Sequence, residues 1–289
     1  MLDAGLSRRR LLTVGAAMAA GYISAGCGRA SGNDRILEPP LNRADKSLAS
    51  ADLPLAHGGV GPDAVAAKYA GKNPQQWGTD ISGIRTNFDT AGRQFALTFD
   101  ACGGPGNNDI DENLLSLLIA QQLPATLFLN KRWIDANQVR AAQLAANPLF
   151  ELANHGTAHR PLSVNGRPAY EIKGTGSPQE AVDEVWGNHE RLTKLVGRAP
   201  RFFRSGTAHY DELAVAIVQD LGETPVGYSL NADSGATSNA AQVQANMMKA
   251  KPGGISLAHM HRPNSGTGPG MYAALTALKG NGFQFVRLP

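Results

Sequence analysis

A chain of 289 residues, 42% hydrophobic and 18% charged, carries enough apolar sequence to bury a full core, which excludes a disordered or fibrous protein. Its formal net charge is +3, and setting aside Arg8, Arg9, Arg10 and Asp3 leaves 24 basic against 23 acidic residues, so no electrostatic feature points to a nucleic-acid partner. The 2 cysteines, Cys27 and Cys102, allow at most one disulfide and exclude a disulfide-built scaffold.

The chain opens with a twin-arginine pattern, Ser7-Arg8-Arg9-Arg10-Leu11-Leu12, followed by a weakly apolar Ala/Gly-rich run over 13–23 that is too short to span a bilayer. It ends in Ser24-Ala25-Gly26-Cys27, which is similar to a lipobox with serine in the usual leucine place. Residues 1–26 are therefore expected to be a signal peptide exported by the twin-arginine route. Lipidation of Cys27 would leave the mature protein at the outer face of a bacterial membrane or in the periplasm, its lipid being the only membrane attachment. Residues 27–80 are rich in Ser, Gly, Asn, Pro and Ala without sustained periodicity, as in a tether and wrapping segment. His57 within it reads as a surface-loop histidine.

From 83 onward the pattern sharpens. Residues 83–92 read as a hairpin leading into Gln94-Phe95-Ala96-Leu97-Thr98-Phe99-Asp100, an apolar strand that ends in a carboxylate, then Ala101, Cys102, Gly103 and Gly104. Asp111 is placed to cap a helix carrying Leu114, Leu115, Leu118 and Leu123 before the strand 125–129. Asp135 is read as the start of the next helix, followed by a strand over 150–153 and an irregular loop over 164–176. Ser177-Pro178-Gln179-Glu180 is a capping box launching a helix whose stripe runs through Val182, Val185, Trp186, His189, Leu192 and Val196, with His189 as a structural histidine. Strands over 201–203, 225–229, 255–258 and 283–286 alternate with helices over 211–221, 240–250 and 272–279. Seven strands in strict alternation with helices predict an α/β fold, a parallel barrel that is incomplete.

In such a barrel the strands' C-terminal ends form the site, because each following loop can contribute a side chain there. Reading just past each strand yields Asp100, Asn130, Asn154 with His155, Arg204, Asn231 with Asp233, and His259. His155-Gly156-Thr157-Ala158-His159 has two-histidine metal spacing on a glycine-shaped loop. Arg204 follows Phe202-Phe203 and needs a buried partner, for which Asp100 on a neighbouring strand end is suited. Asp233 can set the tautomer of His259 and raise its pKa, as a general acid requires. His261, two residues on, is expected to face away, and His209 to be a rim or structural residue.

Thr98-Phe99-Asp100, His155 to His159, Arg204 within Phe203-Arg204-Ser205-Gly206, Asp233 after Tyr228-Ser229, and Leu257-Ala258-His259 follow in order the five motifs of the polysaccharide deacetylase family, also called NodB-homology or carbohydrate esterase 4, which residues 81–289 resemble. The resemblance implies a distorted (β/α)7 barrel with parallel strands and outer helices. It also implies metal-assisted removal of N-acetyl groups from a sugar polymer, with His155 and His159 on a divalent metal, zinc by preference. Asp100 would be the base, His259 the acid, and Leu257 with Tyr228 would line the substrate pocket.

The family's first motif ends in two aspartates, the second a metal ligand, and this chain has Ala101 there. Asp100 can complete the ligand set, as can Asp109 or Asp111 from the glycine-rich loop, or the Cys102 thiolate. Asp100 with water is the preferred set, Asp111 being better explained as a helix cap. Gly156 also departs from the family, which commonly has a hydroxyl residue there.

Two other functions fit the same residues: a metal-independent amide hydrolase on this barrel, favoured by Ala101, and a non-catalytic glycan-binding homologue, which an aromatic content of 6% disfavours. Replacing Arg8 and Arg9 together by lysine is expected to retain the protein inside the cell, and Cys27→Ala to yield an exported soluble form. Fractionation and immunoblotting check both, membrane-bound Cys27→Ala protein being the contrary result.

Overall fold

The computed structural model describes residues 61–289; Arg8, Arg9, Cys27 and His57 lie outside the described residues. In chain order the elements are α1 Pro62–Tyr69, β1 Gln94–Ala96, β2 Thr98–Ala101, α2 Glu112–Ala120, β3 Ala125–Leu129, α3 Lys131–Ala136, α4 Gln138–Ala146 and β4 Phe150–Asn154. They continue with α5 Pro178–Val196, β5 Phe202–Phe203, α6 Glu212–Asp220, β6 Thr224–Pro225, β7 Leu230–Asn231, α7 Ala240–Met247, β8 Ser256–His259, α8 Thr267–Gly280 and β9 Gln284–Val286.

Seven strands form one sheet in the order β6-β5-β4-β3-β2-β8-β7, every pairing parallel. The incomplete seven-stranded α/β barrel expected from the alternation is the fold. Its membership differs from expectation in two places. The run 94–101 breaks at Leu97, so β1 leaves the main sheet and pairs with β9, and the 283–286 segment is not a barrel strand. The run 225–229 yields only Thr224–Pro225, and the chain bends through Gly227 before Leu230–Asn231 pairs with β8 as the seventh strand.

β6 and β7 are consecutive in sequence yet lie at opposite edges, which leaves an opening between them. Residues 85–88 lace it. Arg85 N donates to the Pro225 carbonyl at 2.8 Å, Gly227 N to the Arg85 carbonyl at 3.0 Å, and Phe88 N to the Gly253 carbonyl at 2.8 Å. The hairpin expected over 83–92 is therefore not formed. Asn87 bridges to Gly254 and Gln94 accepts from Gly253 N, so both arms pair with a third segment instead of each other.

Strand alternation sorts the core into two layers. Phe99, Ala101, Leu127 and Leu129 face the helices and pack with Leu114, Leu115 and Leu118 of α2. Phe128, Ala153, Phe202, Val226 and Ile255 fill the barrel interior on the side to which Asp100 belongs.

Helix ends follow their caps. The Asp111 side chain accepts from Leu114 N at 3.0 Å and that of Ser177 from Glu180 N at 3.1 Å, and Gly197 closes α5 at φ 78°. Asp135 does not open a helix: Asn130 caps α3, and Asp135 sits inside it, pairing with Lys131 at 2.6 Å and Arg191 at 2.8 Å. The wrapping segment also contains α1, unanticipated because its eight residues carry little periodicity; Val65, Ala66 and Tyr69 are buried in the cluster formed with α5 and α6. His189 is structural, fully buried, 2.8 Å from Glu223 and stacked on Trp186. No helix among the described residues is long and apolar enough to cross a membrane.

Gly253 holds a left-handed φ of 76°, and a Cβ there would collide with the Phe88 carbonyl of the lacing segment. Gly253→Ala is expected to destabilise the protein by about 2 kcal/mol or more, read as a lower midpoint in urea unfolding.

Candidate active site

The polar residues expected at the strand ends converge. Asp100 is the last residue but one of β2, His155 follows β4, Arg204 follows β5, Asp233 follows β7 and His259 ends β8. They meet at a cavity of about 780 Å³ whose walls include Asp100, Cys102, His159, Tyr228, Leu257 and His259.

Arg204 is the hub. Its side chain has no exposed surface, one guanidinium nitrogen donates to Asp100 Oδ1 at 2.7 Å, another donates to the Gly227 carbonyl at 2.9 Å, and the plane lies 4.1 Å from the Phe128 ring centroid. The Arg204 backbone carbonyl meets Nδ1 of His155 at 2.9 Å. That contact assigns the proton to Nδ1 and leaves the Nε2 lone pair free.

The free Nε2 of His155 lies 3.6 Å from Asp100 Oδ2 and 3.8 Å from Cys102 Sγ. His159 crosses His155 edge to face, with centroids 5.0 Å apart, and its Nε2 is buried without a partner among the described residues. Among the described residues, Cys102, His155 and His159 form the group whose ligand atoms lie within 4.8 Å of one another. Adjacent donors around a tetrahedral ion stand roughly 3.3–3.6 Å apart, given metal–nitrogen and metal–sulfur bonds of about 2.0–2.3 Å. The separations and the orphaned Nε2 fit a bound cation. Asp100 stands beside this group with one oxygen committed to Arg204. Asp111 does not reach it, being the buried cap of α2, and Asp109 is exposed.

Burial sets the charge states on this side of the cavity. It lowers the His155 pKa to about 3, with the Arg204 charge adding to the effect, and holds His159 well below the ordinary histidine value. Both imidazoles are therefore neutral donors. His259 is the opposite case: burial alone would lower its pKa, but the Asp233 carboxylate 2.9 Å from its Nδ1 outweighs that and holds it well above the usual value. Asp233 is itself fixed, accepting from His259 N at 2.7 Å and from the Thr267 hydroxyl at 2.9 Å.

His261 does not face away. Residues two apart share a face of an extended chain, so the expectation mistook the period; the His261 ring packs 5.5 Å from that of His259 and lines the cavity, with burial lowering its pKa to about 4. His209 sits between Trp77 and Tyr170, and the 73%-exposed Tyr170 reaches the cavity wall from a loop that sequence reading treats as plain surface.

The His155–His159 loop owes its shape to buried polar groups of α5 and β4 whose role sequence alone does not show. The Glu184 carboxylate accepts from Ala158 N at 3.0 Å and Arg160 N at 3.1 Å. It also fills the space a Cβ on Gly156 would need, while Gly156 adopts φ 79°. A hydroxyl residue there would meet both obstacles, which accounts for glycine. The Asn130 side chain donates to the His155 and Gly156 carbonyls at 2.9 and 2.8 Å.

Residues 88–226 match the family model described as Polysaccharide deacetylase. Solved structures with the same fold include a carbohydrate esterase 4 pseudoenzyme from Bacillus anthracis, at 20% identity and TM-score 0.60 over 72% of this chain and 69% of that one. A peptidoglycan N-acetylglucosamine deacetylase matches at 21% identity and TM-score 0.60 over 72% and 91% of the two chains. An acetyl xylan esterase from Clostridium thermocellum, in complex with a cobalt ion, matches at 21% identity and TM-score 0.55 over 67% and 87%. A comparison with curated proteins finds no match. Residues 88–226 thus carry a polysaccharide deacetylase domain by the family model, and the fold is that of the carbohydrate esterase 4 structures.

Burial raises the Glu184 pKa to about 7, against the opposing backbone N–H groups of Arg160 and Ala158. The folded state thus holds this proton more tightly than the unfolded chain, so stability falls as pH rises from about 4.5 to about 7. Glu184→Gln keeps an acceptor for the loop and is expected to remove up to about 3 kcal/mol of that pH dependence, measured by urea unfolding across the window with chelator present.

Proposed function

We propose that this chain is an exported, metal-assisted de-N-acetylase acting on an N-acetylated glycan of the bacterial envelope. The observation that carries the reading is the placement, around one cavity, of a carboxylate paired with a buried arginine and an imidazole kept protonated by an aspartate, with two neutral imidazoles beside them. A base and an acid in opposite protonation states are what amide hydrolysis requires: one takes the proton of the attacking water, the other supplies one to the departing amine.

In this reading Asp100 receives the water proton, Arg204 fixing its orientation. His259 donates from Nε2 to the leaving nitrogen, because Nδ1 is held by Asp233. Leu257 offers the acyl methyl an apolar wall, and Tyr228 and the exposed Tyr170 contribute ring surface for a sugar. A divalent ion, zinc by preference, held by His155 and His159 with Asp100 at its edge, would polarise the acyl carbonyl and acidify a water. The peptidoglycan deacetylase among the structural neighbours supports an envelope glycan as substrate. The twin-arginine stretch and Cys27 support delivery to that compartment, with lipid as the attachment.

Ala101 and the pseudoenzyme neighbour keep the non-catalytic alternative in view, and the metal-independent hydrolase stands beside it. Acetate release from N-acetylated oligosaccharides, before and after chelation and after zinc is restored, separates them. Loss on chelation with recovery on zinc is expected; release that persists in metal-free protein favours the metal-independent hydrolase, and no release at all favours the binding homologue. His259→Ala and Asp100→Asn are each expected to lower the turnover number by about 10²–10⁴-fold.

A further inference from the structure

We infer that Cys102 is the third protein ligand of the metal site, making it a Cys-His-His centre that favours a thiophilic cation. The inference rests on the metal-assisted reading of the cavity and adds the identity of its anionic donor. Strand alternation provides the first argument. Ala101, the last residue of β2, is fully buried and packs in the helix-facing layer, so a longer side chain at 101 would point away from the cavity, whereas Cys102, just past the strand end, lies on the side of Asp100. It lines the cavity directly.

The thiol is also held in place. Gly103 and Gly104 follow at φ 66° and 95°, and a Cβ on Gly103 would strike the Trp133 backbone of α3, so the chain after Cys102 is clamped against that helix. Sγ lies 3.8 Å from His155 Nε2, close to the roughly 3.6 Å sulfur–nitrogen edge of a tetrahedral zinc site. His159 Nε2, buried and without a partner among the described residues, closes the triangle.

Charge supplies the remaining argument. Two neutral imidazoles do not offset a dication, and Asp100 already shares its charge with Arg204 at 2.7 Å. The thiol can fill the role by releasing its proton to solvent as the metal–sulfur bond forms. An S,N,N donor set favours zinc or cobalt over magnesium, calcium or manganese. It also leaves Asp100 free to act as the base.

The test uses the full chain with Cys27→Ser, in which Cys102 is the only thiol, stripped with chelator and titrated with cobalt(II). One cobalt per chain with a near-ultraviolet sulfur-to-cobalt charge-transfer band is expected. The band should vanish in Cys102→Ser, with cobalt affinity lowered about tenfold or more. Cys102→Asp, which restores an oxygen donor, should bind cobalt without the band, and serves if the serine variant does not fold. Cobalt bound without the band in the Cys102-bearing protein overturns the inference and leaves the metal-assisted reading intact; failure to bind cobalt overturns both. A band in protein that releases no acetate when zinc-loaded upholds the thiolate ligand and removes the de-N-acetylase reading.

Discussion

A guanidinium with no exposed surface anchors the whole arrangement. Removing an arginine from water costs several kcal/mol unless it is paired, and Arg204 pairs its two terminal nitrogens with Asp100 across the barrel and the Gly227 carbonyl at the edge next to β6, while its Nε has no partner among the described residues. Its own carbonyl fixes the tautomer of His155. One residue thus orients a carboxylate, an imidazole and the turn where the sheet leaves β6. Loss of the Asp100 carboxylate would strand a buried charge, a change worth about 3–5 kcal/mol.

Around that hub, environment divides chemically identical side chains into different roles. Desolvation without a carboxylate on Nδ1 keeps His155 and His159 neutral, whereas Asp233 on Nδ1 keeps His259 charged. The same logic explains Glu184, whose burial against two backbone N–H groups shapes the loop between His155 and His159. Behind it, Asn154 donates to Glu223 at 2.9 Å and accepts from Gly156 N and Asn188, so the loop carrying His155 and His159 rests on a buried polar network. Such networks hold a site rigid because each unsatisfied member would be costly.

The motif departures have a common geometry. Ala101 is small because its side chain faces the packed helix layer, and Gly156 is glycine because a carboxylate occupies its Cβ position and its φ is left-handed. Neither reads as decay of a site whose acid–base pairs and imidazoles remain in register.

The amino-acid sequence by itself determined the alternation of strands and helices, the caps at Asp111 and Ser177, and the roster of strand-end residues, because these depend on local periodicity and on side chains bonding to nearby backbone. The pairings Arg204 with Asp100 and Asp233 with His259 were legible too, since a charged group directly after an apolar strand needs a partner on a neighbouring strand end. Only the tertiary structure decided that β9 pairs with β1 outside the barrel and that 85–88 laces the opening. It also brought Cys102 beside the two histidines and Glu184 onto their loop. Those outcomes rest on contacts between segments far apart in sequence, and on where a strand stops, which local pattern does not encode.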